Sequence, residues 1–431
     1  MNIQKINLDL EKPFYRGSVQ KLYEVQGEPD VLVSETSVGG SVFDVGTIFS
    51  IAGSDIGRAG FRHLVFQNLH NPASWQAVGD YLAELVGKEV VEGDPLLKGL
   101  LEEYQEHGVS THHLGMIERA SGKVFRDSFP DELSNLTLVK RYTVQKPVPT
   151  RAMRWHYYDY SMYHDLDGYV IPLECIVRYG VTSGSSILRK YNALSEKAKA
   201  QYMLELGLEG ELAPWQRFTS PIIDFTTKYE PEDRNITRQE AALMSGISGE
   251  LFACLNGAAI LASYMVHWLF NKLGLYLWDL KWEMATQAGD LIFVDTIDTD
   301  SVRATLSVER GGHHYYVHFN KQAMRDYYRA TAADWVNAVN TAKQEAARCG
   351  APFTEILEQG QRDGRYPLNP EIDPVFMKLQ ERKFELIQRF IREGGAGNDY
   401  RGEAETIAAE EVDFFLATEG RELYQKLNAI D

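Results

Sequence analysis

The chain has 431 residues, 44% hydrophobic and 24% charged, with a formal net charge of −17. This length and composition are typical of a globular protein with two or three domains and sizeable cores. The acidic excess, with no compensating block of lysine and arginine, argues against nucleic acid or an anionic membrane as the main ligand. The cysteines form no CxxC pair and the N-terminus lacks the apolar core of a signal peptide, so we expect a cytoplasmic protein.

The first third of the chain, from Phe14 to about Lys146, reads mostly as short strands with glycine turns between them. One amphipathic helix is expected within it, over GRAGFRHLVFQNLH (57–70). The segment VQKPVPTRAM (144–153) carries two prolines and is predicted to be a connector. These patterns predict a small, sheet-rich N-terminal lobe.

Beyond the connector, strands and helices follow one another without regular alternation, which favours an α+β fold over a doubly wound sheet. GYVIPLECIVRYG (168–180) is predicted to be a buried strand and SEKAKAQYMLELG (195–207) a helix. One long helix is expected from Arg238 to Leu273. Its apolar part, Cys254 to Phe270, is barely long enough to span a membrane and contains polar residues, so we interpret it as a buried core helix.

The C-terminal part is predicted to be helical. Residues 320–350 read as an amphipathic helix or helix pair that ends at Gly350. A linker rich in glycine, proline and aspartate (358–374) precedes a helix from Val375 to Arg392, and a last helix is expected near Glu405 to Leu427.

The stretch GLYLWDLKWEMATQAGDLIFVDTIDTDSVR (274–303) combines apolar and charged residues in one predicted hairpin. Strand alternation puts Asp279, Lys281 and Glu283 on one face, and the returning strand ends on Asp295. The other face would hold Trp278, Leu280 and Trp282. Because unpaired buried charge is costly, the charged face is either exposed and salt-bridged or holds a bound cation, and these residues alone favour the exposed arrangement.

Near the N-terminus, FYRGSVQKLYEV places Gly17 between two strand segments, with Ser18, Gln20 and Lys21 beside it. A glycine at such a turn lets backbone amides approach a phosphate, and a nearby lysine supplies charge. One glycine is a weak signal, and these residues alone favour an ordinary hairpin turn.

Two later segments also carry residues suited to anions. In IPLECIVRYGVTSGSS, a strand with Arg178 leads into a loop of small residues that includes Ser185. This loop fits an anion site and a plain turn with a surface arginine equally well. In SPIIDFTTKYEPEDRNIT, Lys228 lies among hydroxyl groups, and Thr237 is expected to cap the helix that follows.

Several familiar motifs are missing from the sequence. The histidine pairs in THH (111–113) and GGHH (311–314) have no HExxH or cysteine partner nearby, so we expect no zinc site. There is no GxxxxGK[ST], no GxGxxG and no GxSxG, which argues against a P-loop, a dinucleotide fold and a nucleophile elbow.

Taken in order, these segments resemble the SAICAR synthetase (phosphoribosylaminoimidazole-succinocarboxamide synthase) family, and five ordered motifs are far more specific than any one alone. The resemblance runs from about Phe14 to Lys343, and the segment 368–384 is similar to the end of longer members. The matching segments are RGSVQKLYEV (nucleotide loop), SVFDVG (S-x-F-D), IPLECIVR…GSS (P-L-E-x-x-x-R…G-S), DFTTKYEPEDRNIT (T-T-K) and LWDLKWEM…DLIFVDTIDTDSVR (D-x-K-x-E hairpin and D-S-x-R end).

The resemblance implies a small antiparallel-sheet-rich nucleotide lobe (1–170), a larger mixed α+β domain that binds ATP, Mg²⁺ and substrate (171–350), and a helical C-terminal extension (351–431). It implies an ATP-dependent ligase of purine biosynthesis that joins the carboxylate of an aminoimidazole ribonucleotide to L-aspartate through an acyl phosphate. The partners would be these small molecules, and the sequence leaves open whether the chain forms a homo-oligomer.

The family's site residues carry over by position. Glu283 and Asp295 would hold Mg²⁺, and Asp279 and Lys281 would meet the imidazole substrate. Arg178, Ser185 and Arg303 would bind the ribose phosphate. The ATP phosphates would be covered by Gly17, Ser18, Gln20 and Lys21, and the strand around Glu174 would contact the adenine. Lys228 and Asp44 would lie near the aspartate or the transferred phosphoryl group.

Three departures from the family pattern remove charges that would face an anionic ligand. The nucleotide loop has Ser18 and Gln20 where basic residues are common, Val38 and Gly39 replace an Asp-Arg pair, and Ile56 replaces a lysine. These losses leave a second hypothesis open, a related ligase that couples a different heterocyclic carboxylate to an amino acid. A non-catalytic nucleotide-binding protein is the third hypothesis, which the retained metal pair and its neighbours oppose.

Overall fold

The N-terminal part of the chain combines a twisted antiparallel sheet with a block of helices. The computed structural model describes residues 3–17, 19–395 and 400–430, so the predicted contact at Ser18 lies outside the described residues. The sheet has the strand order β1-β2-β3-β8-β6-β7. The elements are β1 (Tyr15–Arg16), β2 (Gln20–Val25), β3 (Glu28–Thr36), β4 (Gly39–Ser41), β5 (Thr47–Ser50), α1 (Ser54–His70), α2 (Pro72–Val86), α3 (Lys88–Glu92), α4 (Pro95–His107), β6 (His113–Ile117), β7 (Val124–Phe125) and β8 (Leu136–Lys140).

The prediction of a single helix in this part is wrong, because α2, α3 and α4 follow α1 directly. Both α2 and α4 begin with a capping side chain followed by proline, at Asn71 and Asp94. Proline at the first helical position is a start signal, since its missing N–H would have no partner there. The helix α1 itself is confirmed.

The predicted connector at 144–153 is instead part of a β-hairpin, β9 (Val148–Ala152) and β10 (Trp155–Asp159). Pro149 pairs with Tyr158 in this exposed ribbon, where an open edge tolerates a residue without an N–H. A 3-10 turn, Ser161–Asp165, leads from the hairpin back to the main body.

The central sheet has the strand order β14-β13-β12-β15-β17-β18-β19, and its further strands β11 and β16 both pair with β15. Every strand pair in it is antiparallel, which confirms the α+β class. Its elements are β11 (Tyr169–Val170), β12 (Leu173–Gly180), α5 (Ser186–Ala193), α6 (Glu196–Leu206), β13 (Arg217–Thr227), β14 (Asn235–Ile236), α7 (Arg238–Met244), α8 (Gly249–Lys272), β15 (Tyr276–Gln287), β16 (Asp290–Val294), β17 (Val302–Arg310) and β18 (His313–His318).

The long helix expected from Arg238 to Leu273 is broken into α7 and α8. Gly246 lies between them with a φ of 77°, and a Cβ there would come within 2.6 Å of the Tyr163 backbone. Only glycine fits this combination of left-handed backbone and close packing. Helix α8 is long and apolar enough to cross a membrane, but 67% of its apolar window is buried inside the molecule, as in the core helix of a soluble protein.

Trp278 does not share a face with Leu280 and Trp282, contrary to the prediction. A register shift between Leu277 and Asp279 interrupts the pairing of β15 with β17. Such a bulge adds a residue and reverses the alternation on one side of it. Leu280 and Trp282 therefore lie in the main core, whereas Trp278 packs with Trp215 and other aromatic residues in a separate cluster.

The C-terminal helices complete the molecule. They are α9 (Gln322–Thr331), α10 (Ala333–Cys349), α11 (Phe353–Arg362), α12 (Pro374–Arg392), α13 (Tyr400–Leu416) and α14 (Arg421–Asn428), and β19 (Ala429–Ile430) follows. The predicted helix pair ending at Gly350 is confirmed, whereas the predicted linker at 358–374 begins inside α11. The predicted last helix is divided into α13 and α14, and Gly420, which lies between these two helices, packs against the Ala330 backbone. The largest core cluster includes Phe61, Leu280 and Phe390.

Candidate functional site

Strands β13, β12, β15 and β17 lie side by side and bring most of the predicted site residues to one face of the central sheet. Arg178 on β12 is paired with Asp279 on β15, which is paired in turn with Arg303 on β17. Glu283, further along β15, is paired with Val294, the residue before Asp295. Residues far apart in sequence therefore meet because the register of the ladder is specific.

The arginine cluster, defined as Arg178, Arg303, Asp224 and Asp279, occupies one end of this face. Arg178 is 2% exposed, and its Nε and Nη2 bind Asp224 Oδ1 and Oδ2 at 2.5 and 2.9 Å. Its Nη1 binds Asp279 Oδ2 at 3.1 Å. Burial alone would lower the pKa of Arg178, but the two carboxylates outweigh burial and raise it. Arg178 is therefore a permanently charged, buried group rather than a surface arginine.

Arg303 and Ser185 lie beside this cluster in different states. Arg303 Nη1 binds Asp279 Oδ2 at 2.6 Å, and its side chain is 23% exposed, so it can reach a ligand without breaking the fold. Ser185 is buried at the N-terminus of α5, and its hydroxyl has no hydrogen-bond partner among the described residues. A buried hydroxyl without a partner is costly, which fits a ligand contact at this position.

The lysine cluster, defined as Glu174, Lys228, Lys281, Glu283 and Asp295, lies further along the same face. Lys281 Nζ binds Glu174 Oε1 and Glu283 Oε1, both at 2.6 Å, and lies 3.8 Å from Asp295 Oδ2. Lys228 Nζ also binds Glu283 Oε1. The predicted salt bridges of this face are confirmed, but its full exposure is wrong, because Glu283 is only 4% exposed while Lys281 and Asp295 are partly exposed.

The two acidic groups of this cluster have opposite pKa shifts. Burial favours the neutral form of Glu283, but Lys281 and Lys228 outweigh it and lower the pKa of Glu283 to about 2. Burial and the adjacent Glu283 raise the pKa of Asp295 to about 7. Neighbouring carboxyl groups with strongly perturbed pKa values are common at functional sites.

The protein side chains of this site make up only part of a complete set of Mg²⁺ ligands. Within the described residues, no group of three or more His, Cys, Asp or Glu side chains is placed to hold a metal ion. Glu283 and Asp295 are two neighbouring carboxyl groups, whose oxygens lie 2.6 and 3.8 Å from Lys281 Nζ. Mg²⁺ is commonly bound by one or two carboxylates together with substrate phosphates and water, so the pair fits a metal that arrives with a nucleotide.

A set of cations on α9 borders the site and was missed from the sequence. Lys321, Arg325 and Arg329 are spaced four residues apart, which puts them on one face of a helix, and this spacing was the available signal. Burial, followed by the charges of Arg303 and Arg329, lowers the pKa of Arg325. Arg329 lies 3.5 Å from Asp326, and the grouping of cations in a partly buried region suits an anionic ligand.

Asp44 lies in a strained loop on the side of α9. Phe43 and Asp44 have φ angles of 56° and 62°, and Phe43 packs on Trp335 with ring centroids 6.0 Å apart. Asp44 Oδ2 is 2.5 Å from Lys343 Nζ, and its charge acts on Arg325. Left-handed non-glycine residues cost energy and are concentrated at functional sites.

The residues predicted to cover the nucleotide are divided between two faces of β2. Gly17 N–H donates to the Gln20 carbonyl at 2.8 Å and closes the turn. Gln20 faces Arg62. With the Gln20 amide oriented so that its oxygen faces the guanidinium, this oxygen accepts hydrogen bonds from Arg62 Nη2 at 2.8 Å and Nη1 at 3.0 Å. Lys21 points to the other face, 3.5 Å from Glu35. The structure therefore brings Gln20, and not Lys21, towards the central sheet.

Two buried arginines of α1 clamp the loop that follows Asp295. Arg62 Nη2 binds Asp298 Oδ2 at 3.0 Å, and Arg58 Nη1 binds Asp300 Oδ2 at 3.3 Å. Sequence reasoning gave these arginines no role, although their four-residue spacing on a helix placed them together. They restore buried positive charge to the helix in which Ile56 replaces the expected lysine.

Comparisons with known proteins agree on one family. The sequence model of the SAICAR synthetase family matches residues 138–342. A putative phosphoribosylaminoimidazole-succinocarboxamide synthase of Archaeoglobus fulgidus is 30% identical over 267 residues, which cover 60% of this chain and 73% of that protein. The corresponding synthase of Thermoplasma acidophilum is 30% identical over 187 residues, or 43% of this chain and 61% of that protein. The solved structure of the SAICAR synthase of Saccharomyces cerevisiae in complex with SAICAR is 18% identical to this chain, with a TM-score of 0.48. The match spans 90% of this chain and 97% of the yeast protein.

Proposed function

This chain belongs to the SAICAR synthetase family, whose members are ATP-dependent ligases of purine biosynthesis, and we propose that it joins a carboxyaminoimidazole ribonucleotide to L-aspartate. The observation that carries the proposal is the lysine cluster, in which Lys228 and Lys281 share the carboxylate of Glu283 beside Asp295. A site for phosphoryl transfer needs this combination of cations and metal-binding carboxylates.

The reaction proceeds in two steps. A carboxylate is a poor acyl donor because its leaving oxide is too basic. The carboxylate oxygen of the ribonucleotide attacks the γ-phosphorus of ATP, the bond to the ADP oxygen breaks, and an acyl phosphate forms. The amine of aspartate then attacks the carbonyl carbon, inorganic phosphate leaves, and the amine loses a proton.

Lys228 and Lys281 would stabilise charge on the transferred phosphoryl group, because their ammonium groups converge on one point of the site. Glu283 and Asp295 would hold Mg²⁺, which supplies charge neutralisation at the phosphate oxygens when it is bound. The strand at Glu174 would face the adenine, and Gly17, Ser18 and Gln20 would close over the ATP phosphates, whereas Lys21 faces Glu35 on the other side of β2 and has no part in this cover.

The arginine cluster would hold the ribonucleotide. Asp279 would accept a hydrogen bond from the imidazole substrate while Arg178 and Arg303 keep its carboxylate oriented. The ribose phosphate would lie between the partner-free hydroxyl of Ser185 and the cations Arg303, Arg325 and Arg329. Arg178, which is buried and bound to Asp224, would contribute positive charge to that site.

Asp44 would meet the amine of aspartate beside α9, in keeping with its left-handed backbone and high exposure. The comparisons do not favour the alternative ligase for another heterocyclic carboxylate, and family membership favours an enzyme over a non-catalytic nucleotide-binding protein. The proposal includes small-molecule partners and a cytoplasmic location.

The test is reconstitution with purified protein, ATP, Mg²⁺, carboxyaminoimidazole ribonucleotide and L-aspartate, with products followed by mass. We expect one succinocarboxamide product, one ADP and one phosphate per turnover, and formation of all three on the order of 100-fold slower in Asp295→Asn. The matched control is Asp290→Asn, at an exposed carboxylate of the same hairpin. Consumption of ATP with no aspartate adduct would contradict the assigned amine, and failure to bind ATP in a folded sample would contradict the ligase.

A further inference from the structure

His112 lies in the THH segment, which has no part in the proposed reaction. It comes immediately before β6, and its ring meets Phe66 of α1 edge-on with centroids 5.7 Å apart. Its partner in the structure is a backbone group 183 residues away, the carbonyl of Asp295.

The contact between His112 and Asp295 has a defined direction. His112 Nε2 lies 2.9 Å from the Asp295 carbonyl oxygen. A carbonyl oxygen only accepts hydrogen bonds, so Nε2 carries the proton and donates. The backbone adds two more bonds, because His112 N–H donates to the Phe293 carbonyl at 2.8 Å and Phe293 N–H donates to the Ser110 carbonyl at 3.0 Å.

Asp295 has a left-handed backbone. Its φ is 62°, in a region that residues with a Cβ adopt infrequently, Asp and Asn more often than most. Such a conformation persists where surrounding contacts over-determine it. The Asp295 carboxylate lies beside Glu283, because its Oδ2 is 3.8 Å from the same Lys281 Nζ that binds Glu283 at 2.6 Å, and the direction of this carboxylate depends on the backbone of Asp295.

We propose that His112 is a positioning residue, whose Nε2–H holds the Asp295 peptide in the left-handed conformation that turns its carboxylate towards Glu283. The part of this inference that concerns the metal rests on the proposed function. The far end of the same loop is held independently, since Arg62 binds Asp298 and Arg58 binds Asp300. Loss of the His112 bond therefore affects the start of the loop and leaves its end in place.

A pair of amide substitutions isolates this bond. In His112→Gln the amide nitrogen falls near the place of Nε2 and can still donate to the carbonyl, whereas in His112→Asn it falls near Nδ1 and cannot reach. The matched control is His113→Asn, because His113 is 1% exposed, stacks on the same Phe66 ring and bonds to His63 at 2.7 Å. Both asparagine variants remove an imidazole that packs on Phe66, partly buried at His112 and buried at His113, but only His112 contacts Asp295.

The first measurement is amide hydrogen exchange of residues 290–301 in the protein without metal or nucleotide. We expect exchange about tenfold faster in His112→Asn, which corresponds to one lost hydrogen bond. His112→Gln and His113→Asn should stay within about twofold of the wild type. Unchanged exchange in His112→Asn, equal acceleration in His113→Asn, or acceleration in His112→Gln would overturn the proposal.

The second measurement is Mn²⁺ binding in the presence of ADP, followed by electron paramagnetic resonance. We expect about tenfold weaker binding in His112→Asn and wild-type binding in His112→Gln. If wild-type protein with ADP binds no Mn²⁺, the proposed metal role of Glu283 and Asp295 fails, whereas the positioning of Asp295 is still decided by hydrogen exchange. Wild-type Mn²⁺ binding in His112→Asn would overturn the link between His112 and the metal pair.

Discussion

The guanidinium of Arg178 and the carboxylate of Asp224 form a two-bond ion pair on adjacent strands, with distances of 2.5 and 2.9 Å. Both groups are nearly buried, at 2% and 11% side-chain exposure. A bidentate pair of this kind fixes the plane of the guanidinium, and Arg178 in turn orients Asp279. The pair therefore links the fold to the face of the sheet that carries the candidate site.

This relationship predicts different outcomes for the two arginines that bind Asp279. Arg303→Gln should lower affinity for the ribonucleotide by roughly 1.5–3 kcal/mol with little change in stability, because Arg303 is partly exposed and a charge-assisted contact is lost. Affinity is measured by titration calorimetry, with ADP binding as the control. A variant that binds the ribonucleotide as the wild type does would exclude Arg303 from the phosphate site.

Arg178→Gln should weaken ribonucleotide binding to a similar extent but also destabilise the fold by about 3–5 kcal/mol, since Asp224 would be left buried without its partner. Adding Asp224→Asn should recover part of the stability and none of the affinity. Chemical denaturation of the single and double variants measures the first effect. Equal stability of Arg178→Gln and the wild type would contradict this description of the pair.

The metal pair is predicted to be essential for turnover. Asp295→Asn should reduce the rate on the order of 100-fold with little loss of stability, because it removes a ligand and leaves the lysines paired with Glu283. Glu283→Gln should reduce the rate at least as much and also lower the melting temperature, since Lys228 and Lys281 lose their shared partner. Ordinary turnover in both variants would remove Mg²⁺ from this position.

The pKa shift of Asp295 predicts that cation binding releases a proton. The pKa of Asp295 is raised from 3.8 to about 7, so its stabilising contribution is complete below the unfolded value and is lost as the pH rises through about 7. Mg²⁺ with ADP should displace close to one proton at pH 6 and far less at pH 8. Calorimetry in buffers of different ionisation enthalpy counts the protons. Asp295→Asn should release no proton. If the wild type also releases none, the raised pKa of Asp295 is contradicted.

A buried ion pair ties the C-terminal helices to the central sheet. Lys383 Nζ binds Glu411 Oε2 at 2.5 Å and the His318 carbonyl at 2.7 Å, with both side chains under 5% exposed. Lys383→Met should cost about 3–5 kcal/mol because Glu411 is left unpaired, whereas Lys383→Met with Glu411→Leu should cost far less. Urea unfolding followed by fluorescence and circular dichroism measures both. Equal losses in the single and double variants would show that the pairing is not the source of stability.

Local patterns in the sequence predicted much of what depends on neighbouring residues. Period-two alternation put Lys281 and Glu283 on the same face of a strand, and helices α6 and α12 lie where the sequence pattern predicted helices. Five ordered segments identified the family, because a motif survives as a local run of residues. The two boundaries between the three predicted domains, and the site roles, stay predictions.

Tertiary structure alone decided which of these residues meet. Trp278 left its expected face because a bulge against β17 shifted the register, and a bulge depends on the partner strand. The partners that meet are far apart in the sequence. Asp224 lies 46 residues from Arg178, Arg325 lies 22 residues from Arg303, and His112 lies 183 residues from Asp295. Sequence periodicity gives the face on which a side chain lies, but burial of a charge or of a polar group is tolerated only with a partner, and long-range packing supplies that partner.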